Sequence, residues 1–443
     1  MRLILTTLLL VLAFVDGVPV KKRRFDGNQV FRMFPKSHEE VKKILHLAKK
    51  YDADIWKLPR SANSNMDVHV DAKHLDQYSS DLESIGTDYT KWIDDVQKLI
   101  DRENKPVSHR RQLEGFDLAQ YHSISEISQY LKEVAAASTR AQLNGFSTIS
   151  QYLKEVAAAS TRAQLHTAGK SYENKTIDYL KISTGVSKKA IFINGGLHAR
   201  EWISPAVVLY LINQLALNPS NNPAIDSILE KFDWYLLPVV NPDGYEYSRT
   251  TERYWRKNRQ TSSSGSCIGV DLNRNFGFKW NPAIGGSTDT CSEIYAGTKA
   301  LTAPETAAVG KLMRDIHCHT IAYLDIHAYG QMWLWPWGYT ADDLPSDLED
   351  LKHYAKVGAN AISNYYNTQF MIGGDATDLY PAAGGADDYA KGVAGIQYSY
   401  TVELRDEGNY GFELPANQIV PTGEEMLEGI LAFAKEIFVR EGL

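Results

Sequence analysis

The sequence predicts an α/β protein, a sheet covered by helices on both faces, preceded by a small α+β open sandwich. From about Tyr179 onward, near-continuous apolar strands alternate with segments of helical periodicity, as in sheets buried on both faces. Before the linker, the order strand, helix, two strands, helix, strand is typical of a small open sandwich. A chain of 443 residues is also long for one domain.

The first segment has the pattern of a secretory signal peptide. An arginine precedes an apolar run of about a dozen residues, and small residues follow it. The run is short for a membrane span, and no other stretch is long and apolar enough. We therefore expect residues 1–17 to be removed and the protein to be secreted and extracellular, with no membrane association. The formal net charge of -7 does not favour a nucleic-acid partner.

The small domain is predicted to occupy residues 18–111. Ser37 and Glu40 form a capping-box pattern before a helix, and the segment contains no candidate catalytic residue. Arg110 and Arg111 then lie between two globular patterns. In a secreted protein, an exposed dibasic linker is a good site for proteolytic cleavage. The larger domain is predicted to span residues 112–443.

A perfect repeat interrupts the start of the larger domain. The sequence ISQYLKEVAAASTRAQL occurs at 127–143 and again at 149–165, a period of 22 residues. Each copy has good helix propensity. Because solenoid repeats diverge and come in threes or more, we expect one native copy and one that protrudes.

The sequence of the larger domain predicts alternating strands and helices. Thr422 and Glu425 form a second capping-box pattern, which predicts the start of the last helix. In such sheets, functional sites gather at the ends of the strands. The predicted strands are KKAIFING, FDWYLLPVVNP, TIAYLDIHAY and QYSYTVEL, and the predicted helices are SPAVVLYLINQLAL, APETAAVGKLMRDI, DLKHYAKVGANAISNYY and GEEMLEGILAFAKEIF.

The three cysteines are most simply explained by one disulfide and one thiol. Cys267 and Cys291 lie in a Gly/Ser-rich, loop-like region, so we pair them. Cys318 lies where the sequence becomes strand-like and is predicted to be a buried free thiol.

The stretch INGGLHAREWIS places His198 and Glu201 three residues apart, where a strand gives way to a helix. Across a tight turn, this spacing lets an imidazole and a carboxylate converge on one cation. His327 ends another predicted strand and is a natural third ligand. Two histidines and a glutamate would leave the fourth position of a zinc ion open, as catalytic zinc requires.

Further polar residues follow other predicted strands and loops. Asn273 and Arg274, beside Asp271, make a suitable fork for a carboxylate. Arg256 lies in RYWRKNR, and Tyr380 precedes the glycine pair in LYPAAGGADDYA. Glu403, at the end of a strand, is a candidate general base.

Taken together and in this order, these motifs resemble the A/B-type zinc carboxypeptidases. The resemblance implies an eight-stranded mixed sheet flanked by helices, one Zn²⁺, and peptide or protein C-termini as substrates. It also implies that the leading domain is an inhibitory pro-domain, removed by a trypsin-like protease.

The resemblance also assigns roles to residues. It makes His198, Glu201 and His327 the zinc ligands and Asp271 the carboxylate that orients a zinc histidine. Glu403 would be the base and Arg256 would stabilise the oxyanion. Cys267 and Cys291 match the disulfide of the family. The implied substrate-binding residues are Arg200, Asn273, Arg274, Tyr329 and Tyr380.

Two aspartates indicate which C-terminal residue the enzyme would prefer. The resemblance places Asp387 at the floor of the specificity pocket and Asp375 at a second pocket position, which favours C-terminal Lys or Arg. Two alternatives remain open. An A-type enzyme, which releases apolar or aromatic residues, would need Asp387 to point away from the pocket. A catalytically silent binding protein would be expected to have lost its base or its carboxylate clamp.

Overall fold

The structure is a computed structural model that describes residues 22–59, 64–103, 121, 153–154, 156–158, 160, 162–185, 188–217, 222–262 and 267–443. The predicted signal peptide, the Arg110–Arg111 linker and the first repeat copy lie outside the described residues. Among the helices that are described, none has the length and apolar character needed to cross a bilayer.

The leading domain has a four-stranded sheet with the order β2-β3-β1-β4. Ser37 caps the first helix as predicted, since its Oγ accepts the amide of Glu40 at 3.2 Å. The charged segment YTKWIDDVQKLIDRENK is helix-prone by sequence, but its first residues belong to a strand, and a helix begins only at Val96. The elements are β1 (Gln29–Phe34), α1 (His38–Lys50), β2 (Asp54–Lys57), β3 (Met66–Val70), α2 (Leu75–Ile85), β4 (Asp88–Ile93) and α3 (Val96–Glu103).

The larger domain has an eight-stranded mixed sheet with the order β11-β10-β12-β9-β7-β8-β6-β5. Its centre is parallel, since β9 pairs in parallel with both β7 and β12. Their carboxyl ends therefore meet at one edge of the sheet. The strands are β5 (Ala163–Lys170), β6 (Thr176–Ile182), β7 (Lys189–Gly195), β8 (Phe232–Leu237), β9 (Thr320–Ala328), β10 (Met332–Trp335), β11 (Met371–Gly374) and β12 (Tyr398–Leu404).

Buried apolar clusters connect these strands to the flanking helices. The last helix begins earlier than the predicted capping box. Thr422 Oγ donates to the Gln418 carbonyl at 2.6 Å, and Glu425 instead accepts from Arg405 Nε at 2.6 Å. Pro421 is tolerated in the first turn, where backbone amides have no helical partner. The helices are α4 (Ile203–Ile212), α5 (Pro223–Leu229), α6 (Pro242–Thr250), α7 (Pro304–Ile316), α8 (Leu348–Tyr366), α9 (Ala386–Gly392) and α10 (Ile419–Arg440).

The second repeat copy contributes to the fold. Leu153 and Val156 are buried in the larger core, and both are helical. The helix prediction is wrong for the last three residues of this copy, because Ala163 begins β5. Pairing with β6 outweighs the intrinsic helix propensity there.

The cysteine predictions have opposite outcomes. The disulfide between Cys267 and Cys291 is confirmed, with an S–S distance of 2.07 Å. The prediction for Cys318 is wrong, because this free thiol is exposed. It lies in the turn between α7 and β9, before the buried strand begins at Thr320.

Candidate active site

A tight turn at the end of β7 brings the HAREW segment to the edge of the sheet. Gly195 packs against α4 so closely that a Cβ there would lie 2.7 Å from Ser204 Oγ. Gly196 follows with φ +64°, a conformation that glycine adopts at little cost. Its amide donates to Ser204 Oγ at 2.9 Å. The two glycines therefore let the chain reverse and leave His198 and Glu201 buried at the strand end.

His198, Glu201 and His327 converge as predicted. One ligand atom from each lies within 4.8 Å of the others. Glu201 lies between the imidazoles, with Oε1 2.8 Å from His198 Nδ1 and Oε2 2.9 Å from His327 Nδ1. All three side chains are buried. Two imidazole nitrogens and a carboxylate are ordinary zinc ligands, so this set fits a zinc ion.

A carboxylate holds the far nitrogen of each imidazole. His198 Nε2 lies 3.1 Å from Asp271 Oδ1, and His327 Nε2 lies 2.9 Å from Asp325 Oδ2. Such outer carboxylates fix the ring orientation of a metal-binding histidine. The sequence interpretation included Asp271 but missed Asp325. The signal was present, because residues two apart on a strand share one face.

Asp271 also connects this cluster to Arg256. Nε and Nη2 of Arg256 donate to Asp271 Oδ2 at 3.1 and 3.0 Å. Burial disfavours the ionised form of Asp271, but the charges of Arg256 and His198 outweigh burial and hold its pKa well below the ordinary value. Asp271 is therefore an anion that positions both a histidine and the arginine.

Glu403 lies opposite His327, in register on the parallel strands β12 and β9. Its Oε2 is buried without a hydrogen-bond partner in the described part of the chain. Burial raises the pKa of Glu403 to about 8; the negative charge of Glu201 adds to this effect, and His327 opposes it. A carboxyl group that is poised to exchange a proton near neutral pH suits a general acid–base.

Hydrogen bonds to neighbouring groups fix the orientation of the Arg274 guanidinium. Its Nε donates to the Gly285 carbonyl and its Nη1 to the Asn273 carbonyl, both at 2.7 Å. Its Nη2 donates to the Tyr380 hydroxyl at 3.2 Å. Asn273, Arg274 and Tyr380 line the same cavity as the metal-binding set. The predicted clamp residues are thus brought together.

That cavity, of about 120 Å³, also reaches Asp375 and Asp387. Asp387 lies in the first turn of α9 and is 4% exposed. Oδ2 of each aspartate is buried and has no donor among the described residues. The cavity therefore has a metal-binding set, an arginine clamp and a pocket with two carboxyl groups.

The leading domain covers this cavity. Trp56 of β2 lines it together with Phe412 and Tyr329, and the Tyr329 hydroxyl donates to Asp67 at 3.2 Å. Arg200 does not line the cavity. Its Nη1 donates to Asp54 of the leading domain at 2.5 Å. The sequence interpretation missed these contacts, because they join segments far apart in the chain.

A buried ion pair anchors the same interface. Arg253 donates to both carboxylate oxygens of Glu103, at 2.9 and 2.6 Å, and both side chains are fully buried. Arg253 also donates to the carbonyls of Arg200 and Phe412. Glu413 lies in the same region, and burial raises its pKa to about 8; Arg253 opposes this effect and Glu103 adds to it.

Comparisons with known proteins agree with this geometry. A zinc carboxypeptidase family model matches residues 149–429, and a carboxypeptidase activation peptide model matches residues 31–103. The first match begins at Ile149, where the second repeat copy begins.

Two curated relatives and one solved structure illustrate the similarity. Carboxypeptidase B of Astacus astacus is 44% identical over 275 residues, 62% of this chain and 88% of the relative. Carboxypeptidase A2 of Rattus norvegicus is 34% identical over 438 residues, 97% of this chain and 98% of the relative. The crystal structure of thrombin activatable fibrinolysis inhibitor has a TM-score of 0.79 at 30% identity, with 93% of this chain and 99% of that chain covered.

The chain therefore belongs to the zinc carboxypeptidase family and carries that family's activation peptide. The predicted fold and enzyme class are confirmed, and the cofactor of the family is zinc. Relatives of the A and B types appear at similar identity, 34% for carboxypeptidase A2 and for carboxypeptidase B of Rattus norvegicus. Family membership alone thus leaves the preferred C-terminal residue open.

Proposed function

We propose that this protein is a secreted carboxypeptidase zymogen that, once cleaved, releases C-terminal Lys or Arg from peptides and proteins. The observation that carries the basic specificity is the pair of buried carboxyl groups, Asp375 and Asp387, at the cavity wall. A buried carboxylate that faces an apolar side chain would lack a partner, at a cost of about 3–5 kcal/mol.

His198, Glu201 and His327 hold the zinc ion in this proposal. When bound, zinc polarises the scissile carbonyl and makes a water molecule more acidic. Asp271 and Asp325 hold the Nε2 atoms of the two histidines, which would leave the Nδ1 atoms available to bind the zinc ion.

Glu403 moves the proton. Its Oε2, which has no hydrogen-bond partner within the described ranges, takes a proton from the attacking water and delivers it to the leaving amine. Arg256 donates to the developing negative charge on the carbonyl oxygen, and Asp271 holds its guanidinium in place.

The arginine clamp explains why only the last residue would be removed. Arg274 pairs with the terminal carboxylate of the substrate, Asn273 adds a hydrogen bond, and Tyr380 lies over the clamp. An internal peptide bond presents no carboxylate at this position. Tyr329 and Arg200 bind the substrate chain on the side that the leading domain covers.

The leading domain acts as the inhibitor. Asp54 accepts a hydrogen bond from Arg200, and Asp67 accepts one from the Tyr329 hydroxyl. Trp56 lines the cavity. A substrate chain cannot reach these groups while β2 and β3 cover them. Cleavage at Arg110–Arg111 by a trypsin-like protease would separate the two domains and expose the groove.

A paired assay tests the proposed function. The purified zymogen is treated with trypsin and offered matched peptides ending in Arg, Lys, Phe or Leu, with and without a zinc chelator. We expect release of Arg and Lys that the chelator abolishes and that is absent before cleavage. Faster release of Phe or Leu would contradict the basic specificity. No release from folded, cleaved protein would favour a silent binding protein.

A further inference from the structure

Asn194 is a buried polar residue that the proposed mechanism does not use. It lies at the carboxyl end of β7, in register with Asp325 on the parallel strand β9, and both side chains are fully buried. Its Nδ2 donates to Asp325 Oδ1 at 2.7 Å. Because an ionised carboxylate can only accept hydrogen bonds, the nitrogen of the Asn194 amide must be the atom that faces Asp325.

Both oxygens of the Asp325 carboxylate are held. Oδ2 lies 2.9 Å from His327 Nε2, and Oδ1 accepts from Asn194. Among the described residues, no Lys or Arg side chain forms an ion pair with Asp325. The terminal torsion of an aspartate has a broad range unless neighbours restrict it. The hydrogen bond from Asn194 therefore fixes the plane of the carboxylate that faces His327.

The outer carboxylate of the other histidine is held in the same way, but by a cation. Asp271 Oδ1 lies 3.1 Å from His198 Nε2, and Asp271 Oδ2 accepts from Arg256 at 3.0 and 3.1 Å. Each histidine of the metal-binding set thus faces a carboxylate whose second oxygen is bound to another side chain. Asn194 has, for His327, the place that Arg256 has for His198.

Stability alone does not explain a buried asparagine at this position. The Oδ1 atom of Asn194 is buried and accepts no hydrogen bond from the described residues. A buried polar atom without a partner destabilises the fold, and an apolar side chain would avoid that cost. What the amide contributes here is its hydrogen bond to Asp325.

We propose that Asn194 is a positioning residue for the metal centre, because it holds Asp325 in the orientation that fixes the imidazole of His327. This inference rests on the proposed zinc-binding set. The hydrogen bonds run from β7, the strand that leads into the HAREW turn, to β9, the strand that ends at His327. Without the amide, the carboxylate of Asp325 turns and no longer restricts the ring of His327.

The test measures the zinc affinity of the full-length, uncleaved protein by competition with a chromophoric chelator. Leucine has the branching of asparagine without its hydrogen-bonding groups, so the variant is Asn194→Leu. We expect its zinc affinity to fall by about tenfold, the lower end of the effect of losing an outer partner of a metal-binding histidine.

Asn28→Leu is the matched control. Asn28 is a buried asparagine of the leading domain, and its Nδ2 donates to Asp71 Oδ1 at 2.8 Å. This variant also loses a hydrogen bond from a buried amide to a carboxylate, but at a distance from the metal-binding set. We expect it to keep the wild-type zinc affinity.

A double-mutant cycle separates positioning from a structural role. In the Asp325→Ala background there is no carboxylate to hold, so Asn194→Leu should not lower the zinc affinity further. A merely structural role would lower the melting temperature of the metal-free protein and leave the zinc affinity of the folded protein unchanged. If Asn194→Leu does not fold, Asn194→Ala takes its place in the same cycle.

Equal zinc affinity in wild type and Asn194→Leu would overturn the inference. The same loss with and without the Asp325 carboxylate would overturn it as well, because Asn194 would then act by another route. Failure of the proposed zinc-binding set has a different result, since His327→Ala would then bind zinc as tightly as wild type.

Discussion

At the scale of single residues, Glu403 is the clearest case of chemistry that the sequence indicates and the fold enables. A glutamate at a strand end is a weak signal by itself. The structure adds the parallel register with His327, a buried carboxylate oxygen with no hydrogen-bond partner among the described residues and a pKa raised by burial. None of these depends on neighbours in the sequence, which is why they could not be predicted from it.

The Glu403→Gln variant should lose turnover while keeping its metal. The amide cannot accept the proton of the attacking water, so we expect kcat to fall by about 10²–10⁴. Zinc content, measured by elemental analysis, should stay at the wild-type level, because Glu403 is not in the metal-binding set. Wild-type kcat in this variant would contradict its assignment as the base.

Asp325 should act through His327. In Asp325→Asn, His327 Nε2 loses the carboxylate that lies 2.9 Å away in wild type. We therefore expect the zinc affinity of this variant to fall by about 10–100-fold. Competition with a chromophoric chelator measures this. The control is Asp315→Asn, since Asp315 is exposed on α7 and pairs only at the surface with Lys311. Equal zinc affinity in the two variants would show that Asp325 does not orient the ligand.

At the scale of elements, strand ends could be predicted well and turns less well. The runs that end at His327 and Glu403 are apolar enough to indicate buried strands, and parallel neighbours bring their ends together. The prediction that a capping box at Thr422 starts the last helix is wrong, because the helix begins at Ile419. Glu425 instead accepts a hydrogen bond from Arg405. The prediction of a buried thiol at Cys318 is wrong, because Cys318 lies exposed in the turn before β9.

Helix α3 should control how tightly the leading domain is held. In Glu103→Gln, Arg253 loses its ionised partner while still buried, and breaking such a pair costs about 3–5 kcal/mol. We expect activity to appear sooner after limited trypsin cleavage than in wild type. The control is Asp88→Asn, because the Asp88–Lys36 pair is largely exposed and such pairs contribute little. Equal lag times for the two variants would contradict this anchor.

At the scale of the whole molecule, the interface between the domains is the part that the sequence could not predict. Asp54, Trp56 and Asp67 lie in a segment without catalytic motifs, and their contacts reach residues more than a hundred positions away. By contrast, the order of the two domains could be predicted from the linker and the change in periodicity. The family models confirm an activation peptide ahead of the enzyme.

Inhibition by the separated leading domain should weaken as pH rises. Burial raises the pKa of Glu413 to about 8 in the complex; Arg253 opposes this effect and Glu103 adds to it. The contribution of Glu103 is lost when the domains part, because Glu103 belongs to the leading domain. Binding therefore takes up a proton, and its strength is fully present at low pH and falls as pH rises towards about 8. Residual activity of cleaved, unseparated protein between about pH 5 and 9 measures this.

The Glu413→Gln variant is the matched control for this pH dependence. It cannot ionise at that position, so its inhibition should change less with pH over the same range. The same slope in wild type and variant would place the proton uptake elsewhere.

In the proposed function, the acidic pocket selects basic C-terminal residues. The most direct measurement is the ratio of kcat/KM for matched peptides ending in Arg and Phe, for the activated wild type and the Asp375→Asn/Asp387→Asn double variant. The amides keep the shape of the pocket and remove its charge. We predict a high ratio in wild type that falls by about two to three decades in the variant, as expected for an unpaired buried charge. A ratio that does not change would contradict the claim.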